Sequence, residues 1–158
     1  MKNIKVLMID DNVELVKMVK EYFSNHENID ISLEAYDGVE GMKLIKDNQD
    51  DYDVVILDLI MPHKDGVSIL EEMKQLGIDK KVIVLTSYNT QDMIRKVSEL
   101  GIVYFILKPF ELSELEKRIL ECMGENNYSN KSIDVYKNNL QISITKILHE
   151  LGVPSHIK

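Results

Sequence analysis

The chain has 158 residues, 44% of them hydrophobic and 29% charged, which is the make-up of a water-soluble domain with enough apolar mass for a core plus an appendage. All of the net charge of −8 falls on residues 1–120, while residues 121–158 are balanced, and so acidic a main domain argues against direct binding to nucleic acid or anionic lipid. A single cysteine, Cys122, excludes an internal disulfide framework. The first residues reach Asp10 and Asp11 before a signal-peptide core could form, and no apolar run approaches membrane-spanning length, so the expectation is a cytoplasmic protein.

Taken in order, Ile4–Ile9 is an apolar run broken only by Lys5 and ending in Asp10-Asp11. The first helix follows, with Leu15, Val16, Val19, Tyr22 and Phe23 as its stripe, and Asp11 with Glu14 fits a capping box. That leaves Asp10 without an evident structural task. Ile29, Ile31, Leu33 and Ala35 alternate as in a half-buried strand, and Asp37-x-x-Glu40 opens a second helix that Gly38 and Gly41 weaken.

Val54–Leu57 is short, apolar and rich in β-branched residues, as in a strand buried on both faces, and it runs straight into Asp58 and then Pro62. After it come a helix through Val67, Ile69, Leu70 and Met73 closed by Gly77, a strand Val82–Leu85 ending in Thr86-Ser87, and a helix through Met93, Ile94, Val97 and Leu100 stopped by Gly101. A fifth strand, Ile102–Leu107, ends in Lys108-Pro109-Phe110, and Ser113-x-x-Glu116 opens a last helix through Leu115, Ile119 and Leu120.

Five β-α units with right-handed crossovers predict an α/β domain whose parallel sheet is covered by helices on both faces. Of the common doubly wound orders the flavodoxin-like one, 2-1-3-4-5, suits five units, and it makes strands one and three neighbours. Asp10, Asp11 and Asp58 then converge at the carboxyl rim of the sheet, where such folds bind ligands, and Thr86 and Lys108 reach the same rim. Carboxylates about 4 Å apart repel by on the order of 4 kcal/mol at an effective dielectric of 20. That cluster points to a hard cation with oxygen ligands, Mg²⁺ first. A carboxylate beside such an ion can act as a nucleophile toward a phosphoryl group, and the Lys108 ammonium and Thr86 hydroxyl suit its oxygens.

The acidic pair Asp10-Asp11, Asp58 with Pro62 and Gly66 behind it, Thr86, and Lys108-Pro109-Phe110 resemble the receiver domain of two-component response regulators over residues 3–121. The resemblance implies Asp58 as phosphoacceptor, Asp11 and Asp58 as direct Mg²⁺ ligands, Asp10 acting through water, and the Ile60 carbonyl as a further ligand. It also implies Thr86 and Lys108 on the phosphoryl oxygens, a cis Lys108–Pro109 bond, and a switch in which Thr86 moves and Phe105 turns inward, with Tyr104 the alternative aromatic. Its readout would be the surface of the fourth helix, fifth strand and fifth helix, including Arg95, Lys96, Glu99, Glu114 and Lys117, often a dimer contact in the family. Ile60 and Tyr88 would line the path of attacking water, and their bulk suggests a long-lived phosphoryl group.

The phosphodonor implied is a histidine kinase or phosphotransferase, with no membrane partner, and the domain is a signalling module rather than an enzyme, catalysing its own modification and slow hydrolysis. The expected layout is a receiver over 1–122, a polar linker over 123–138, and a helix within 139–158 marked by Leu140, Ile144, Ile147, Leu148 and Leu151. Residues 139–158 resemble the opening of the DNA-binding effector domain of the stage-zero sporulation protein A family. This implies transcriptional control of sporulation, with DNA contacted only through the rest of that domain, from which the chain would be cut; a naturally short relative is the other option. A stand-alone receiver acting by protein contact remains an alternative. A haloacid dehalogenase-type phosphohydrolase fits less well, because Ile60 stands where that family usually has a second Asp. His149 and His156 suggest no metal site, and Cys122 reads as inert packing.

Overall fold

The computed structural model describes residues 4–87, 91–101 and 104–124. Tyr88, Ile102, the linker from residue 125 onward and the apolar stripe of 139–158, with His149 and His156, lie outside the described residues. Within them the order is β1 (Ile4–Ile9), α1 (Val13–Phe23), β2 (Ile29–Ala35), α2 (Gly38–Asp47), β3 (Val54–Asp58), α3 (Gly66–Leu76), β4 (Lys81–Thr86), α4 (Gln91–Glu99), β5 (Tyr104–Leu107) and α5 (Leu112–Cys122). All strand pairs are parallel, as the pattern of β-α units predicts, and the sheet order is β2-β1-β3-β4-β5, the flavodoxin-like order expected by analogy.

The apolar runs bury on both sides because a parallel sheet is covered twice. Leu7, Ile9, Val55, Leu57, Val82 and Val84 pack with α2, α3 and α4. Val6, Met8, Val54, Ile56, Ile83 and Leu85 pack with α1 and α5 through Val16, Val19, Phe23, Leu115 and Ile119. Burying one such side chain fully contributes roughly 1.5–3 kcal/mol, so the two layers supply most of the driving force. β3 is the centre of both layers, with every residue from Val54 to Asp58 buried.

β2 departs from simple alternation. Its pairing with β1 skips Ser32, passing from Val6↔Ile31 to Leu7↔Leu33. Ile29 and Ile31 therefore join the α1–α5 layer, while Leu33 and Ala35 join the other. The Ser32 hydroxyl donates to the Asp51 carbonyl at 2.8 Å, which occupies the residue left over by the bulge.

Helix starts also differ in detail. α1 is capped by Asn12, whose side chain accepts from the Leu15 amide at 3.1 Å, and not by Asp11. α2 is capped by Asp37 on the Glu40 amide at 2.9 Å. α5 begins at Leu112 behind Glu111, which makes no side-chain cap, so Ser113 lies inside the first turn. Its buried stripe is Leu115, Ile119 and Cys122, and Leu120 faces water. Gly77 and Gly101 follow α3 and α4 with positive φ, the left-handed stop that glycine makes without penalty.

Candidate functional site

β1 and β3 are hydrogen-bonded neighbours, and this adjacency brings acids 48 residues apart in the chain to one rim. Asp10, Asp11 and Asp58 each offer a carboxylate oxygen within 4.8 Å of the others; Asp10 and Asp58 are buried and Asp11 is exposed. From the end of β5, Lys108 reaches in: its Nζ lies 2.8 Å from Asp10 Oδ2 and 3.3 Å from Asp58 Oδ2. The Lys108 amide donates to the Thr86 carbonyl at 3.0 Å, which ties the ends of β4 and β5 together, and the Lys108–Pro109 bond is cis.

Each of the two buried acids is held by the chain that follows it. Asp10 Oδ1 accepts from the Asn12 amide at 2.9 Å, a structural task not evident in the sequence. Asp58 Oδ1 accepts from the Ile60 amide at 3.1 Å. Because Asp10 turns back on Asn12, the capping role passes to Asn12, and Asp11 stands exposed at the mouth.

Asp10 Oδ2 is closed to water, and the Lys108 ammonium 2.8 Å away is the charge it faces. Burial raises the Asp58 pKa above the usual carboxylate value, and Asp10 adds to the rise; the Ile60 amide and Lys108 offset only part of it. For Lys108 burial works against the charge, but contact with Asp10 and then Asp58 outweighs it and holds the ammonium above its ordinary pKa. Two buried acids share one cation, so the pocket remains short of positive charge. Three carboxylates with a single ammonium between the two buried ones make an all-oxygen donor set that fits a hard divalent cation.

Thr86 is fully buried at the end of β4. By alternation it continues the Val82–Val84 side of the sheet, where Phe105, 3% exposed, packs in the same layer as Ile94 and Val97 of α4. Tyr104 lies on the opposite side, with the Arg118 guanidinium 5.5 Å from its ring centre. Ile60 is 47% exposed beside Asp58, and Arg95, Lys96, Glu99 and Lys117 are exposed, with Glu114 half-buried. Elsewhere, burial pushes the Cys122 thiol up to about 12, in keeping with inert packing.

A family profile for the response regulator receiver domain matches residues 6–120. The chain belongs to the response regulator receiver domain family. Solved receivers agree in fold. The receiver domain of the Francisella response regulator 1452 is 33% identical, with a TM-score of 0.65 over 74% of this chain and 93% of that one. CheY of Borrelia burgdorferi, in a complex with CheX, BeF3 and Mg²⁺, is 25% identical, with a TM-score of 0.70 over 77% of this chain and 90% of that one. A DNA-binding response regulator of the LuxR family from Staphylococcus aureus is 25% identical, with a TM-score of 0.66 over 73% of this chain and 95% of that one. Among the described residues of this receiver, no helix is long and apolar enough to cross a membrane.

One feature of the receiver escaped sequence reasoning altogether. Glu116 of α5 accepts from the Tyr22 hydroxyl at 2.7 Å and bonds His26 Nε2 at 2.9 Å, joining α5 to the end of α1 and the turn after it. His26 Nδ1 accepts from the Asn28 and Ile29 amides, so Nε2 carries the proton given to Glu116. Partners separated by 90 residues leave no local signal.

Proposed function

We propose that this receiver accepts a phosphoryl group on Asp58 from a phosphohistidine of a partner kinase or phosphotransferase, with Mg²⁺ as the assisting ion. The observation that carries the reading is the meeting of three carboxylates within 4.8 Å with Lys108 placed 3.3 Å from Asp58. Asp11, Asp58 and the Ile60 carbonyl would hold the ion, with Asp10 acting through water, and the ion would supply positive charge to the transferring oxygens. The similarity to CheY in a complex with BeF3 and Mg²⁺ supports that choice of ion and chemistry.

In the transfer a carboxylate oxygen of Asp58 forms the new bond to phosphorus, and the donor's P–N bond breaks with its electron pair returning to the imidazole. Lys108 pairs with the phosphoryl oxygens and the Thr86 hydroxyl donates to them. The product adds charge to a pocket already rich in acids, and that charge draws Thr86 and Lys108 inward. Thr86 and Phe105 share a side of the sheet with α4, which supports Phe105 rather than Tyr104 as the aromatic that follows. The surface of α4, β5 and α5 then changes and becomes the contact for a second copy. Exposed Ile60 shields Asp58 from attacking water, which supports a long-lived phosphoryl group.

For output we infer transcriptional control of sporulation through an effector domain that opens at residues 139–158, after a receiver of 1–122 and a linker of 123–138. The acidic balance of residues 1–120 supports DNA contact through that effector alone, and equally suits a stand-alone receiver that signals by protein contact. Incubation with Mg²⁺ and a small acyl phosphate, followed by intact-mass analysis, tests the acceptor. The expected result is one phosphoryl group on the wild type and none on Asp58→Asn; a modified Asp58→Asn would overturn the assignment.

A further inference from the structure

The turn after β3 carries the Ile60 amide to Asp58, and its shape is unusual. Lys64 N donates to the Pro62 carbonyl at 2.8 Å around His63, whose φ is 72°. A three-residue turn with positive φ is rare and strained for a residue with a side chain, so something outside the turn must hold it.

Two bare Cα positions do so. A Cβ on Gly66 would lie 2.6 Å from the Asp58 carbonyl, and the Gly66 amide donates to the Leu59 carbonyl at 2.8 Å, which closes the turn on its own strand. The second lies on another element. A Cβ on Gly38, the first residue of α2, would lie 1.7 Å from the Lys64 carbonyl oxygen and 2.5 Å from its carbon. Both atoms are backbone, so no rotamer change relieves the overlap. The Lys64 side chain fastens the same residue from the other direction, its Nζ 2.7 Å from Glu72 of α3, which also faces Lys46 of α2 at 3.6 Å.

We propose that Gly38 is a positioning residue for Asp58: its bare Cα is the seat of the Lys64 carbonyl, and that seat sets the turn that aims the Ile60 amide. A glycine in the first turn of a helix, costly to the helix itself, is thereby accounted for. The inference rests on Asp58 being the phosphoacceptor only for its consequence, since the geometry of the turn is independent of it.

The test is Gly38→Ala in the full chain, with Gly41→Ala as control. A Cβ on Gly41 would press on the Ile9 side chain at 2.8 Å, so that variant disturbs α2 and the core without touching the turn. Expected for Gly38→Ala are a displaced Ile60 amide resonance, exchange of that amide with solvent at least about tenfold faster, and Mg²⁺ affinity and phosphoryl acceptance both reduced several-fold; Gly41→Ala keeps the Ile60 resonance and its exchange near wild type. If Gly38→Ala does not fold, Gly38→Ala with His63→Gly, whose turn can retreat without left-handed strain, gives the same readings. An Ile60 amide and Mg²⁺ affinity within twofold of wild type in the folded variant would overturn the proposal. A wild type that takes no phosphoryl group would instead refute the acceptor assignment, leaving the exchange reading to decide the seat.

Discussion

The carboxylates at the sheet rim and the carboxylate at the α1–α5 seam are treated in opposite ways. Glu116 at the seam has a donor on each oxygen, the Tyr22 hydroxyl first and His26 second, and its pKa is held below the usual value. At the rim, burial and a neighbouring acid drive the Asp58 pKa up, and the Lys108 ammonium is divided between Asp58 and Asp10. The carboxylate that serves the fold has two donors to itself. The two buried acids of the candidate site share the single ammonium of Lys108 between them, and the missing charge must come from outside.

The sharpest break of this contrast is Asp58→Asn. It should abolish phosphoryl acceptance, read by intact mass, and at the same time stabilise the ion-free protein by about 1 kcal/mol, read by urea unfolding, as expected where function is held at the expense of stability. Lys108→Met acts the other way: it leaves two buried acids facing each other and should cost about 2–3 kcal/mol, kept below the full buried-pair range because Lys108 is partly open to water. Saturating Mg²⁺ should return part of that loss, since an ion at about 100-fold its dissociation constant contributes roughly 2.7 kcal/mol. At the seam Glu116→Gln should cost about 1 kcal/mol and leave phosphoryl acceptance intact; a loss of acceptance there would erase the distinction between the two regions.

Acid titration separates the same two groups by sign. The depressed pKa of Glu116 gives a contribution present above its unfolded value of 4.5 and lost as pH falls through the lower folded value. Asp58 has its folded pKa raised above 3.8, so the native state takes the proton first and the penalty it imposes fades as pH falls. The stability advantage of Asp58→Asn should therefore shrink on acidification, while that of wild type over Glu116→Gln shrinks at still lower pH. Urea unfolding of the three proteins across the acid range measures both.

Much of the fold was legible because parallel strands buried on both faces have to be apolar throughout, so Val54–Leu57 and Val82–Leu85 stand out between polar turns. Asp10, Asp58, Thr86 and Lys108 were legible as candidates because each ends such a run, and the alternation of strands and helices puts those ends on one side. Besides the Glu116 seam, three features were not legible, for physical reasons. Asp10, Asp11 and Asn12 are all capable caps, and the assignment to Asn12 depends on Asp10 turning back from the sheet end. The even spacing of Ile29, Ile31, Leu33 and Ala35 assumes an unbroken pleat, which the extra residue at Ser32 removes. Gly38 read as a weakness of α2 because the carbonyl that needs its space comes from Lys64, on another element.

The bulge at Ser32 has a consequence for how copies of this chain avoid one another. β2 is a margin of the sheet among the described residues, and an evenly pleated margin invites stacking into fibrils. A strand that changes face half-way along cannot offer a second molecule one continuous register. The same irregularity that spoils the pattern in the sequence thus makes that side a poorer template for a second strand.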